Sequence, residues 1–179
     1  MPLLMLRDLP RYDCLLRAAG KYPTLNPSAS EAFLHLLRTG DMVFSTEAEF
    51  LARHGISQGR FTVLMLLNCC SDEPCTPADL AARAGVTRAA MTGLVDTLEK
   101  DGIVTRERDA DDRRSILVRL TRAGRTRLEK MLPDYFACVA AIMQPLRPAE
   151  RKQLVALLEK IQRGLSAEKS VTRAPAAAA

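Results

Sequence analysis

Glycine and proline punctuate the middle of the chain so closely that few architectures can accommodate it. Thr76-Pro77-Ala78-Asp79 reads as a helix start. Threonine can cap a free backbone N–H, proline sits where its missing N–H costs nothing, and the carboxylate faces the positive end of the helix. Gly85 stops that helix soon after Leu80, Ala81 and Ala84. Thr87 starts another, which runs to about Lys100 with Met91, Leu94, Val95 and Leu98 on one face and Gly102 as its terminator. Two helices joined by so tight a glycine-containing turn form a helix-turn-helix. Ile103-Val104-Thr105-Arg106 follows at once as a strand, and Ile116 to Leu120 alternates as a second. Between them, Arg108 to Arg114 is polar with no apolar anchor, so the pair is expected to protrude as a hairpin, or wing.

Helices flank this unit on both sides. Ser28-Ala-Ser-Glu31 has the spacing of a capping box, and Ala32, Phe33, Leu36, Leu37, Val43 and Phe44 give an imperfect helical stripe that ends near His54-Gly55. Ser57 caps a further helix whose run Phe61, Val63 to Leu67 is apolar nearly all round and belongs in a core, with Cys69 and Cys70 closing it as small core residues. Thr121 caps a long helix carrying Leu128, Met131, Leu132, Tyr135, Phe136, Val139, Ile142 and Met143, although Pro133 inside it predicts a kink. Pro145 and Pro148 mark a break before a last amphipathic helix with Leu154, Leu157, Leu158, Ile161 and Leu165. The expected class is mainly α with a small β-hairpin wing. Residues 1–27 form an extension with a short helix closed by Gly20, 28–56 and 122–165 a helical region, 57–121 the winged helix-turn-helix, and 166–179 a disordered tail.

Composition narrows the function classes. With 47% hydrophobic and 26% charged residues the chain should fold. Its net charge of +5 is compatible with a polyanionic partner, yet the surplus lies in residues 123–179 and the charges nearly balance over 76–122. Five cysteines in no framework spacing predict reduced thiols and a cytoplasmic location. The apolar start is broken by Arg7 and Asp8, too early for a membrane span. An enzyme fares badly: His35 and His54 are the only histidines, and neither a Gly-rich phosphate loop nor a nucleophile elbow occurs. Cys69, Cys70, Cys75 and His54 lack metal-site spacing, and no cofactor is expected. Cys14, with Arg11 and Arg17 at helical distances, is the candidate for a thiol switch.

The segments Ala78 to Arg88, Leu94 to Val104 and Asp112-Arg-Arg-Ser-Ile-Leu-Val-Arg-Leu-Thr121 resemble the multiple antibiotic resistance regulator (MarR) family over roughly Ser28 to Leu165. The resemblance implies a homodimer, paired through the helical stripes near the chain ends, that binds a palindromic DNA operator. It also implies a repressor that releases DNA when a small ligand binds or a thiol oxidises. A thiol-responsive regulator of the same fold and a winged-helix protein-interaction module are the alternatives.

In a helix-turn-helix the second helix lies in the major groove, which places Thr87, Arg88, Ala89, Ala90 and Thr92 at the base edges. Arg88 suits either guanine or phosphate, Ala89 or Ala90 a thymine methyl, and the helix starts at Thr76 and Thr87 a phosphate. Arg114, helped by Arg113 and oriented by Asp112, would enter the minor groove, with Arg106 as a secondary phosphate contact. Gly93 departs from the family, many of whose members carry a larger side chain there. Phe44, Arg60 and Phe61 are the candidates for an effector pocket, and an arginine beside aromatics suits an aromatic carboxylate.

Overall fold

The computed structural model describes residues 8–69, 75–109 and 115–172. Its elements run α1 (Tyr12–Ala19), α2 (Pro27–Arg53), α3 (Gln58–Cys69), α4 (Pro77–Ala84), α5 (Arg88–Lys100), β1 (Val104–Arg108), β2 (Ile116–Leu120), α6 (Arg122–Met143) and α7 (Pro148–Thr172). They fall into two units that divide between Tyr135 and Phe136, inside α6.

Local chemistry sets the boundaries in the first unit. Thr76 and Asp79 form a complete capping box: Thr76 Oγ1 accepts the Asp79 N–H at 3.1 Å, and the Asp79 carboxylate accepts the Thr76 N–H at 3.0 Å. Gly85, at φ +66°, then ends α4 in a left-handed conformation that suits glycine. Thr87 caps α5 by accepting the Ala90 N–H at 3.2 Å. The start of α2 corrects the sequence reading. Asn26 Oδ1 accepts the Ala29 N–H at 3.1 Å, while Ser28 lies inside the helix and donates its hydroxyl to the same oxygen. Pro27 is the reason, since its fixed φ suits the first helical residue and leaves the preceding asparagine as the cap.

The two strands pair antiparallel with Val104 opposite Leu120, Arg106 opposite Val118 and Arg108 opposite Ile116. The first strand therefore begins one residue later than expected, because Ile103 is a buried link from the helix end. Thr121 ties this region together. Its N–H donates to the Ile103 carbonyl at 3.0 Å, its hydroxyl reaches the Gly102 carbonyl at 2.8 Å, and it accepts the Gly124 N–H at 3.0 Å. A side chain on Gly124 would overlap the Ile103 carbonyl oxygen, so the start of α6 lies directly on the turn that follows α5.

The core gathers Val63, Leu64 and Leu67 of α3, Leu80 of α4, Met91, Val95 and Leu98 of α5, Val104 and Val118 of the hairpin, and Leu128 of α6. Beside it, the Glu47 carboxylate of α2 accepts hydrogen bonds from Gln58 Nε2 and the Tyr135 hydroxyl, each at 2.9 Å, which joins α2, α3 and α6. α6 continues through Pro133, which is exposed. The Glu129 carbonyl that the proline leaves without a donor lies on an exposed turn, where water can reach it. Farther along α2, Phe33, Met42 and Phe44 are exposed.

In the second unit, the end of α6 and α7 expose Phe136, Val139, Val155, Leu157, Ile161 and Leu165. α7 runs to Thr172, beyond Ser166, where the tail was expected. Ala167, Glu168 and Lys169 favour helix, and no glycine or proline interrupts them. Residues 173–179 lie outside the described part.

Thr76 holds the Asp79 carboxyl below its ordinary pKa, chiefly through its hydroxyl and then through its backbone N–H. A carboxyl depressed on folding stabilises the protein above its unfolded pKa, and that contribution is lost as pH falls through the folded value. Asp79→Ala should therefore cost about 0.3–1.5 kcal/mol at neutral pH. In urea unfolding the gap from the parent should close as pH falls below the ordinary carboxylate range; a gap independent of pH would contradict the ionised cap.

Candidate nucleic-acid interface

Met91, Val95 and Leu98 recur at spacings of four and three and are all buried, which turns one face of α5 toward the core. Thr87, Arg88, Ala89, Ala90, Thr92 and Gly93, at the start of the helix, are all exposed. The sequence-predicted contact residues on this helix are thus all exposed around its first turn. Among the described residues no carboxylate pairs with Arg88, in contrast to Arg60, Arg106 and Arg119, whose guanidinium groups are all paired. Thr87 caps the Ala90 N–H and the Thr87 carbonyl takes the Met91 N–H. The N–H groups of Arg88 and Ala89 precede any intrahelical acceptor and point out of the positive end of the helix, where an anion is favoured.

The start of α4 is different. The Thr76 N–H and hydroxyl are both engaged by Asp79, whose carboxylate adds a negative charge to that helix end. This geometry does not offer the Thr76 N–H to a phosphate.

The hairpin emerges from the core progressively: Val104 is buried, Thr105 and Arg106 are half-buried, and Glu107 and Arg108 are exposed. Asp112, Arg113 and Arg114, which the sequence reading placed at its tip, lie outside the described residues. Arg106 is drawn back onto α5, where Nη2 donates to Asp96 Oδ1 at 2.6 Å, Nη1 donates to Glu99 Oε2, and the backbone N–H donates to Glu99 Oε1 at 3.2 Å. Burial pulls its pKa down, but the two carboxylates outweigh burial and leave it raised.

Phe44, Arg60 and Phe61 do not converge. Phe44 is 60% exposed on α2, Arg60 pairs with Asp101 at 3.0 Å near the end of α5, and Phe61 is buried with its ring 4.6 Å from that of Tyr135. Neighbouring positions on a helix point about 100° apart, so Arg60 and Phe61 cannot share one direction. The cluster that does form around Phe61 uses Glu47, Gln58 and Tyr135. Of these, only Tyr135 had a sequence signal, as a member of an apolar stripe.

Arg17 Nη2 lies 3.2 Å from Cys14 Sγ. Cys75 is buried, whereas Cys69, expected in the core, is exposed at the last turn of α3; Cys70 lies outside the described residues. Among the described residues no cluster of histidine, cysteine or acidic side chains could hold a metal ion, and no helix is long and apolar enough to cross a membrane.

A family model described as MarR family matches residues 56–116. The transcriptional repressor YetL of Bacillus subtilis (strain 168) is 34% identical over 161 residues, which span 90% of this chain and 96% of that repressor. Among solved structures, BpsR of Bordetella bronchiseptica, whose DNA binding is regulated by 6-hydroxynicotinic acid, superposes with a TM-score of 0.63 at 25% identity, covering 74% of this chain and 98% of BpsR. AbsC, a MarR family regulator from Streptomyces coelicolor, reaches a TM-score of 0.74 at 21% identity over 80% of this chain and 97% of its own, a likeness of fold.

Gly93 interrupts the exposed face of α5, and a Cβ there would meet open space. Among the described residues nothing requires glycine at this point, although glycine in a helix interior costs about 1 kcal/mol relative to alanine. Gly93→Ala should raise the unfolding free energy by about 0.5–1 kcal/mol in chemical denaturation. A loss of stability would show that the helix packs differently.

Proposed function

The chain belongs to the MarR family of transcription regulators, and on that premise we propose that it is a ligand-responsive repressor that binds a palindromic duplex operator as a homodimer. The observation that carries this reading is the exposed start of α5, a helix whose Met91, Val95 and Leu98 are buried, where Arg88 meets no carboxylate among the described residues and two N–H groups precede any intrahelical acceptor. In this reading α5 enters the major groove. Thr87, Arg88, Ala89, Ala90 and Thr92 approach the bases or the adjoining phosphates. The hairpin carries Arg113 and Arg114 to the minor groove, with Asp112 orienting them. Similarity to a repressor supports repression.

A homodimer accounts for the apolar side chains left exposed in each unit. Phe33, Met42 and Phe44 are exposed on α2, and Val155, Leu157 and Ile161 are exposed on α7. Joining two copies about a two-fold axis would cover these side chains and set two α5 helices about one DNA turn apart. The proposed effector is a small molecule, with aromatic carboxylates as the leading class; BpsR responds to one such acid. The proposed location is the cytoplasm, where the operator would be found.

A duplex enriched from a random-sequence pool supplies the probe. Arg88→Ala should weaken binding at least about tenfold in fluorescence anisotropy at matched salt. If Arg88 reads guanine, the loss should be confined to sequences carrying that base; if it holds phosphate, the loss should be uniform and the salt slope should fall by about one. Arg114→Ala should also weaken binding, with little change in thermal midpoint. Parent-like affinity in both variants would refute the assignment of the interface. Light scattering should return about twice the 19.7 kDa chain mass, and a monomer at micromolar concentration would remove the dimer.

A further inference from the structure

Arg106 separates from the other cations of the interface in a way that changes its role. Asp96 and Glu99 lie three residues apart on α5 and so share a face, and both carboxylates turn toward the same guanidinium. Glu99 also takes the Arg106 backbone N–H, so the strand itself, and not only its side chain, is fastened to the helix. The Arg106 side chain is 23% exposed, while the carboxylates around it are 57% and 38% exposed. One positive charge inside two negative ones leaves a local charge of −1, which repels a phosphate. Contact with DNA through Arg106 would require the guanidinium to leave both partners and abandon a hydrogen bond of the strand.

Its position in the hairpin gives the arrangement a purpose. The turn from α5 is held at Gly102 and Ile103 by Thr121, and Val104 is buried. Beyond Arg106 the strand is exposed, and Glu107 and Arg119 pair with each other at 3.2 Å. Arg106 is therefore the last point along β1 at which the described hairpin is bonded to α5, and its cross-strand partner Val118 is buried. A two-stranded ribbon is weak on its own and depends on what it packs against. Freedom at this point would be magnified at the tip.

We propose that Asp96, Glu99 and Arg106 form a clamp that sets the angle between the wing and the DNA-reading helix, so that Arg106 acts as a positioning residue and not as a phosphate contact. This rests on the proposed DNA-binding reading of α5 and the hairpin. The two roles predict opposite signs when the carboxylates are neutralised. For a phosphate-seeking arginine, Asp96→Asn with Glu99→Gln removes repulsion and frees the cation, so DNA binding strengthens. For a clamp, the same pair of changes loosens the wing, and binding weakens although two negative charges have gone.

The test uses the full-length protein, a duplex enriched by the parent from a random-sequence pool, and fluorescence anisotropy over a range of salt. The D96N/E99Q variant should bind about fivefold to tenfold more weakly than the parent. Hydrogen exchange in residues 104–108 and 116–120 should quicken while the core of α3 keeps its protection. Arg106→Gln should weaken binding similarly with an unchanged slope of log affinity against log salt. Binding by D96N/E99Q equal to or tighter than the parent, or a slope reduced by about one in Arg106→Gln, would overturn the clamp. If Arg106→Gln unfolds, D96N/E99Q still decides, because it keeps the shapes of both side chains. Failure of the parent to enrich any duplex would instead count against the DNA-binding reading.

Discussion

Burial of Met91, Val95 and Leu98 is the constraint on which the interface depends. Once these side chains are committed to the core formed with α3 and α4, the rotation of α5 about its own axis is settled, and with it the set of residues offered to solvent. A turn of about 100° would bury Arg88 or Thr92 and bring an apolar row to the surface, at a cost of several side chains' burial, each worth about 2 kcal/mol. The exposed face needs no interaction of its own to be held in place. This explains how it can carry alanines, threonines and a glycine, which contribute little to stability and leave room for a partner to approach.

The surrounding contacts extend that constraint outward. Thr121 and Gly124 bring the start of α6 directly onto the turn that follows α5. Glu47 then joins α2, α3 and α6 through Gln58 and Tyr135. Along this route α2, with its exposed Phe33, Met42 and Phe44, is connected to the turn that follows α5. On the other side, Arg106 carries the same order from α5 into the hairpin.

Much of this was legible from residue types alone, because the decisive signals were local. A threonine followed by Pro77 and Asp79, another at the start of α5, and glycines at 85 and 102 each act within one turn of chain, and the structure uses all of them. What was misread required knowledge of competing neighbours. Ser28 and Glu31 had the spacing of a cap, but Asn26 and Pro27 together made a better one. Arg60 and Phe61 are effector-pocket candidates because an arginine beside aromatics suits a carboxylate, whereas the helix sends one toward Asp101 and the other toward Tyr135. Arg106 looked like a free cation because its partners, Asp96 and Glu99, lie across the turn from helix to strand. Pairings of this kind depend on how elements meet, and periodicity carries no information about them.

The central claim, that the exposed face of α5 meets DNA, is tested most directly by a photo-crosslinking side chain placed at Thr92, with a second variant carrying it at Lys160 of α7, both exposed positions. Irradiation of each variant bound to the selected duplex should join position 92 to a DNA strand and leave position 160 unlinked. Normal duplex binding with no crosslink from position 92, or with crosslinks from position 160 alone, would contradict the account.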